Sequence, residues 1–479
     1  MDMNEGFSLY QRLAASIQAQ INAGALRPGD RVPSVRHLSH VRQVSVSTVL
    51  QAYRKLEDDG VIEARPQSGY YVRHRQRRLP EPAITSPPQH AQSVDNGTLV
   101  AAALDINNRP NCVPLATASP GPALLPTARL QRLIAGVARR HPTLAVTYSF
   151  RSGHPELCRQ IARRALDWGI ELDPGEIIIT NGCMEALNLA LRCATRAGDT
   201  VALESPAYFG LLQTIESLGL KVLEIPTHPR DGLSVDALDF ATRSMNVKAC
   251  VVVSNVANPL GSVMPETAKR RLVGLAAERH ITLIEDAVYG DLYDGPLSPS
   301  LAKAYDKAGN VILCSSFSKT LAPGLRIGWI VPGRHRQRIA NLKFINNVMT
   351  SELPQLAIAE FLASGGYDHH LRRLRRAFRE QMEKTTVAIA KYLPEGTRVS
   401  RPQGGFLLWV ELPKQVDSIV LMREAARENI SIAPGPVFST TDRYLNFARI
   451  SCGYPWSADI ERALRRLGEM AWMQLERSN

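Results

Sequence analysis

Apolar and polar positions along the chain change period twice. Near the N-terminus Leu9, Leu13, Ile17 and Ile21 recur at i, i+4 behind Ser8, which predicts a capped helix ended by Gly24. Pro28-Gly29-Asp30 reads as a turn. Ser34 opens a short second helix with Val35 and Leu38 inward. Ser45 opens a third with Val49, Leu50, Tyr53 and Leu56 inward, ended by Gly60. Residues 61–64 and 70–72 then read as strands joined across Arg65-Pro66-Gln67-Ser68-Gly69, a hairpin with a polar tip. Three short helices followed by a hairpin form a DNA-reading layout; a small helical domain with a basic surface would show the same pattern.

Later in the chain the period becomes that of short buried strands. Residues 177–180, 201–203, 222–225, 249–254, 281–284, 311–314 and 327–331 are near-continuous apolar runs. Helical patterns lie between several of them, for example 185–196 and 266–279. That alternation predicts an α/β domain with a mostly parallel sheet. Past about residue 341 a long basic helix over 368–391, a strand over 405–410 and a helix over 419–428 predict a smaller α+β lobe.

Between the two patterns, Pro80, Pro82, Pro87, Pro88 and Pro110 stand among Ser, Gln and Asn. This stretch reads as a linker, which divides the chain into 1–75, 76–111 and 112–479. It begins with the basic run Arg73-His74-Arg75-Gln76-Arg77-Arg78, either a solvated linker or an arm that contacts phosphates.

Composition narrows the class. Of 479 residues 44% are hydrophobic and 21% charged, which excludes wholesale disorder. No apolar run approaches the roughly 18 residues of a membrane span, and the polar, acidic start is unlike a secretory signal. Seven cysteines lie singly without a C-x-x-C pair, which fits a reducing cytoplasm and offers no zinc site. The formal charge of +12 allows a polyanionic partner. Residues 1–80 hold twelve Lys and Arg against seven Asp and Glu, more than their share of that surplus.

Candidate chemistry gathers at the expected strand ends. Open α/β sheets bind ligands there. Thr180-Asn181-Gly182-Cys183-Met184 runs from strand into helix, and its free N–H groups suit a phosphate. Asn258-Pro259-Leu260-Gly261 reads as a turn. Glu285-Asp286-Ala287-Val288-Tyr289 ends a strand with a carboxylate and a phenol. Ser315-Ser316-Phe317-Ser318-Lys319 places hydroxyls and an amine just past another. Each alone is equally a cap, a turn or a solvated loop. In the first domain the third helix would expose Ser45, Val46, Ser47 and Thr48 at its N-terminal end, where amides and hydroxyls meet phosphates and base edges. Arg31 and Arg36 flank the second helix and can neutralise phosphates.

Two resemblances join these pieces. Residues 8–72 resemble the GntR-type winged helix-turn-helix through Arg31-Val32-Pro33-Ser34-Val35-Arg36, Val44-Ser45-Val46-Ser47-Thr48-Val49, Gly60-Val61-Ile62 and the Ser68-Gly69 wing. Many relatives carry Arg where this chain has Val46, a side chain suited to a thymine methyl, so operator preference is not transferable. Residues 112–475 resemble a fold-type I aminotransferase, with a large α/β lobe and a small α+β lobe. The resemblance rests on the phosphate turn, Tyr208, Asn-Pro-x-Gly, Asp-x-x-Tyr, Ser-x-Ser-Lys and Arg326 in order.

This second resemblance implies pyridoxal 5'-phosphate as cofactor and a role for each residue. Lys319 would form the Schiff base, and Asp286 would pair with the pyridine nitrogen. Tyr289 and Asn258 would bond the ring's phenolic oxygen, and Tyr208 would stack on the ring. Ser316, Ser318, Arg326 and the amides of Cys183 and Met184 would hold the phosphate. Tyr148 would reach the phosphate of the other subunit, so a homodimer is implied; Arg449 would clamp a carboxylate. The fusion itself resembles the MocR regulators, whose dimers are head-to-tail. It implies a regulator that binds operator DNA and senses the cofactor, or an amine or amino acid, by aldimine exchange. The alternatives are a working aminotransferase with a DNA-binding domain attached, or a DNA-binding protein whose large domain only dimerises. No membrane partner is expected.

Overall fold

The computed structural model describes residues 8–478 apart from 24, 27, 28, 60, 66, 67, 73–78, 85–89, 96 and 108. The expected helix ends Gly24 and Gly60, Pro28 of the expected turn, the hairpin-tip residues Pro66 and Gln67, and the basic run 73–78 lie outside the described residues. The chain divides into two units, Met1–Arg78 and Leu79–Asn479.

The first unit holds helices α1 (Leu9–Asn22), α2 (Val35–Arg42) and α3 (Val46–Asp58), then strands β1 (Ile62–Arg65) and β2 (Gly69–Val72). The caps are the expected serines. Ser34 Oγ accepts the His37 N–H at 3.2 Å and Ser45 Oγ the Thr48 N–H at 3.1 Å, each a contribution of about 1 kcal/mol. The strands pair antiparallel with Ile62 opposite Val72 and Arg65 opposite Gly69. Leu13, Ile17, Leu38, Val49, Tyr53, Leu56, Ile62 and Val72 form one core. Leu50 departs from the expectation and is 36% exposed. Val49 already fills the inward stripe, and its helical neighbour is turned about 100° away.

The second unit is larger. Its strands are β3 (Val113–Pro114), β4 (Ile178–Thr180), β5 (Thr200–Ser205), β6 (Lys221–His228), β7 (Gly232–Leu233), β8 (Val247–Val252), β9 (Thr282–Asp286), β10 (Val311–Ser316), β11 (Gly328–Val331), β12 (Arg398–Val399), β13 (Leu407–Glu411), β14 (Ile430–Ser431), β15 (Ala433–Pro434) and β16 (Phe447–Ser451). Its helices are α4 (Gly97–Asn107), α5 (Thr127–Arg140), α6 (Pro155–Ala165), α7 (Cys183–Ala194), α8 (Phe209–Ser217), α9 (Val235–Thr242), α10 (Glu266–Glu278), α11 (Arg336–Asn347), α12 (Glu352–Ala363), α13 (Gly366–Tyr392), α14 (Ser418–Arg427) and α15 (Ala458–Ser478).

Eight strands form one sheet in the order β4-β11-β10-β9-β8-β5-β6-β7. The central pairs from β10 to β6 are parallel, and β11 runs antiparallel to both of its neighbours. The sequence reads as continuous apolar runs because both faces are covered. Val201, Leu203, Ile284 and Ile312 pack to one side with α7 and α8, while Ala202, Leu283 and Val311 pack to the other with α9 and α10. A second sheet, β12-β13-β16-β15, belongs to the smaller lobe with α13, α14 and α15.

The expected linker 76–111 is not one over its described part. Leu79, Ala103 and Ile106 lie in the small-lobe core and Val94 in the core beside α7. Gln92 bonds Val222 backbone to backbone in both directions at 2.8 Å. Ile84 and Leu104 are exposed, but Leu79, Val94, Val100, Ala103 and Ile106 occupy buried positions, and composition alone does not reveal that. Among the described residues no helix is long and apolar enough to cross a membrane, no metal-binding group forms, and all seven cysteines are free.

Candidate functional site

The carboxyl ends of β9 and β10 lie side by side, with Cys314 opposite Asp286 in parallel register. A cleft with about 720 Å³ of empty volume opens there. Ten residues singled out in the sequence line it: Cys183, Met184, Tyr208, Asn258, Asp286, Tyr289, Ser316, Ser318, Lys319 and Arg326. Leu187, Val253 and Val288 complete the wall, apolar positions that carry no sequence signal of their own.

Lys319 Nζ donates to the Ala118 carbonyl at 2.6 Å and lies 5.9 Å from the centre of the Tyr289 ring. Burial first, and the Arg449 charge second, bring its pKa down to about 8. Asp286 Oδ1 accepts from the Val288 N–H at 3.0 Å and the Cys183 thiol at 3.4 Å, and burial raises its pKa. Cys183 was singled out for its amide; its thiol contact with Asp286 needed the fold to appear. The Tyr289 hydroxyl is buried and has no hydrogen-bond partner among the described residues.

Arg449 does not line the cleft but reaches it through Asn258. It is 1% exposed, and its Nη1 donates to Asn258 Oδ1 at 3.1 Å and its Nη2 to the Ala116 carbonyl at 2.6 Å. Its Nε has no partner, and no acid pairs with it among the described residues. The rings of Phe438 and Phe209 lie 5.1 and 5.8 Å from the guanidinium carbon. Burial lowers its pKa. A buried cation without an anion fits a carboxylate ligand better than a structural ion pair.

The α7 end of the cleft suits an anion. Gly182 caps α7 at φ 80°, so the first amides of the helix point into the cleft's end. A Cβ on Gly182 would collide with the Arg326 guanidinium. Arg326 Nη1 donates to Ser318 Oγ at 3.2 Å and Nη2 to the Asn181 carbonyl at 3.3 Å, while Ser316 Oγ accepts the Ser318 N–H at 3.3 Å. The lining therefore offers groups suited to a flat ring bearing a phosphate, a hydroxyl and a basic nitrogen.

Two groups behind this turn escaped the sequence reading. Glu185 Oε2 accepts the Asn181 N–H at 2.6 Å, and Lys343 Nζ lies 3.1 Å from the same carboxylate oxygen. Lys343 is 158 positions away in sequence, so no local pattern links the two.

Tyr148 lies outside the cleft, 76% exposed and stacked on Phe150 at 6.3 Å. In the first unit Ser45, Val46 and Ser47 are exposed at the start of α3, with Thr48 half-buried. Ser45 Oγ lies 2.7 Å from both Ser47 Oγ and Thr48 Oγ1. Arg31, Ser34 and Arg36 are exposed. Ser68 Oγ is hydrogen-bonded to the Tyr71 hydroxyl at 2.6 Å, and Gly69 at φ 104° lets the Arg31 guanidinium lie against the hairpin.

These two units define a class: a winged helix-turn-helix DNA-binding module joined to a fold-type I, aminotransferase-like module. The profile for aminotransferase class I and II matches residues 130–467, and that for bacterial regulatory proteins of the gntR family matches residues 9–72. The HTH-type transcriptional regulators YdcR and YjiR of Escherichia coli (strain K12) are similar to it from end to end. YdcR is 40% identical over 96% of this chain and 98% of its own length, and YjiR 38% over 98% and 99%. The structure of LysN, an α-aminoadipate aminotransferase of Thermus thermophilus complexed with N-(5'-phosphopyridoxyl)-L-leucine, is 30% identical. It covers 78% of this chain and 95% of its own, at a TM-score of 0.72. The chain belongs to the aminotransferase class I and II family and carries a GntR-type domain ahead of it, the MocR architecture.

Proposed function

We propose that the chain is a DNA-binding transcriptional regulator whose second unit holds pyridoxal 5'-phosphate. It senses the cofactor itself, or an amine or amino acid that displaces Lys319 from it. Pyridoxal phosphate, when bound, supplies an aldehyde that condenses with amines and a ring that withdraws electrons. Lys319 supplies the amine for that aldehyde, and a pKa near 8 lets it release its proton more readily than an exposed lysine. Asp286 accepts the ring nitrogen's N–H, and Tyr289 and Asn258 hold the ring oxygen. Tyr208 covers the ring. Ser316, Ser318, Arg326 and the amides of Cys183 and Met184 take the phosphate. Arg449 takes an effector's carboxylate.

The observation that carries the sensing reading is a pair of contacts around Thr117. Arg449 holds the Ala116 carbonyl and Lys319 the Ala118 carbonyl, each at 2.6 Å. Between them Thr117 Oγ1 donates to Asn107 Oδ1, on the last residue of α4, at 2.9 Å. A cofactor that engages the Lys319 amine would remove one hold, and a carboxylate on Arg449 would compete for the other. Occupancy thus alters a segment tied to α4. A ligand changes DNA affinity only through such a difference between states.

Exposure of Val146, Tyr148 and Phe150 supports a homodimer, read as head-to-tail, in which Tyr148 reaches the partner's phosphate. Free cysteines fit work on DNA in the cytoplasm. The test is operator affinity by fluorescence anisotropy across titrations of cofactor, amines and amino acids. Affinity that never moves sinks the sensing reading. A second reading, a working aminotransferase, is favoured by the unpaired Arg449 and the intact set around Lys319. Steady keto-acid release from an amino-acid panel would establish it.

A further inference from the structure

An acid stands where an anion is to be held. Glu185 is the third residue of α7, the helix whose first amides face the phosphate end, and its carboxylate grips the N–H of Asn181 in the turn itself. A negative charge at that place opposes a phosphate dianion and offsets the favourable field of the helix N-terminus. It also offsets the positive charge of Arg326, which bonds the Asn181 carbonyl on the other side of the same residue.

The compensating charge comes from α11. Lys343 is 6% exposed, and its Nζ lies 3.1 and 3.3 Å from the two Glu185 oxygens. Asn347 Oδ1 at 2.5 Å and Thr350 Oγ1 at 2.8 Å fix the ammonium in place. Thr350 Oγ1 is itself bonded to the Ile179 carbonyl, on the strand that leads into the turn. Burial lowers the Lys343 pKa and Glu185 opposes that shift.

We infer that Lys343 is a positioning residue for the cofactor's phosphate: it neutralises Glu185 and so lets the Asn181–Cys183 turn accept an anion. The inference rests on the cofactor reading above. Glu185 is retained because it holds the turn's backbone, and Lys343 makes that hold compatible with a phosphate ligand.

The experiment titrates the full-length protein with pyridoxal 5'-phosphate and, separately, with pyridoxal, following visible absorbance. Lys343→Gln is expected to weaken the phosphate-bearing ligand about tenfold, the scale of one partly screened charge. Pyridoxal affinity should stay unchanged. Glu185→Gln combined with Lys343→Gln should return the phosphate-bearing ligand to within about threefold of the parent. Equal weakening of both ligands, or a double variant as weak as Lys343→Gln, overturns the inference and makes Lys343 a fold residue. If Lys343→Gln fails to fold, the double variant, which leaves no unpaired charge, carries the same comparison between the two ligands. In that case phosphate-ligand affinity far below the parent's overturns the inference. Parent protein that takes up neither ligand overturns the cofactor reading, and this inference with it.

Discussion

Lys319 and Gly182 put the site's chemistry in reach of two sharp measurements. Condensation needs the neutral amine, so cofactor uptake should accelerate as pH rises and level off above about 8. An unperturbed lysine would give a midpoint at about 10.4. Because the Arg449 charge is one cause of the depression, Arg449→Gln should move the midpoint upward; stopped-flow absorbance over a pH series reads both. Lys319→Ala should leave no pyridoxyl group on that peptide after borohydride reduction and mass mapping. Label retained at another lysine would show that a different amine is used. At Gly182 a side chain meets the Arg326 guanidinium and must also adopt φ 80°. Gly182→Ala should therefore weaken cofactor binding and lower the unfolding midpoint, with about 1–2 kcal/mol from the backbone alone. Lys319, Asp286 and Arg326 are singled out in the sequence by the order of motifs that resembles a fold-type I aminotransferase, since each alone reads equally as a cap, a turn or a solvated loop; the structure brings all three to one cleft. Asn258 meeting Arg449 across 191 positions is not legible in the sequence, since only the topology brings them together.

The elements divide in the same way. Serine caps and inward stripes mark α1, α2 and α3 locally, and the structure departs from them at Leu9, 60% exposed at the start of α1, and at Leu50, where two adjacent apolar residues cannot share one stripe. The exposed edge of this unit predicts its binding behaviour. Arg36→Ala should weaken DNA binding and flatten its salt dependence by about one counterion. A salt slope identical to the parent's would place Arg36 outside the interface. The basic helix α13 is marked in the sequence only by its length and charge, yet its inner face does specific work. Its Tyr367 hydroxyl is bonded to Asp291 Oδ2 at 2.8 Å and to Thr320 Oγ1 at 2.7 Å, beside Lys319. His370 Nε2 meets the Thr320 carbonyl at 2.7 Å. Tyr367→Phe leaves a buried carboxylate one bond short and should cost about 1–3 kcal/mol in denaturant unfolding. Unchanged stability would mean that Asp291 is satisfied by Arg164 alone.

Over the whole chain, the α/β alternation is visible without coordinates because repeated local signals agree with one another, and the DNA-binding module through the motifs that resemble a GntR-type winged helix. The boundary between units is not. Proline-rich, polar composition hides the packing of Leu79, Val94 and Ile106, and the second unit begins at Leu79 rather than after an extended tether. The two-carbonyl arrangement around Thr117 makes a prediction at this scale. Simple amines engage Lys319's partner alone, whereas α-amino acids also compete for Arg449. Operator affinity should accordingly shift more with an amino acid than with its decarboxylated amine at equal occupancy. Identical shifts would show that Arg449 takes no part in the response.

Ala116 and Ala118 have one further consequence. In logical terms the Thr117 segment has two separable inputs: one arrives as a carbonyl-reactive cofactor at Lys319, the other as a carboxylate at Arg449, and each acts on a different hold. A nutrient sensor so wired distinguishes the vitamin alone from the vitamin with an amino acid, because an amino acid that displaces Lys319 frees its amine for the Ala118 carbonyl while its carboxylate competes for the hold on Ala116. It would tell the means for a transamination apart from the means and the material together.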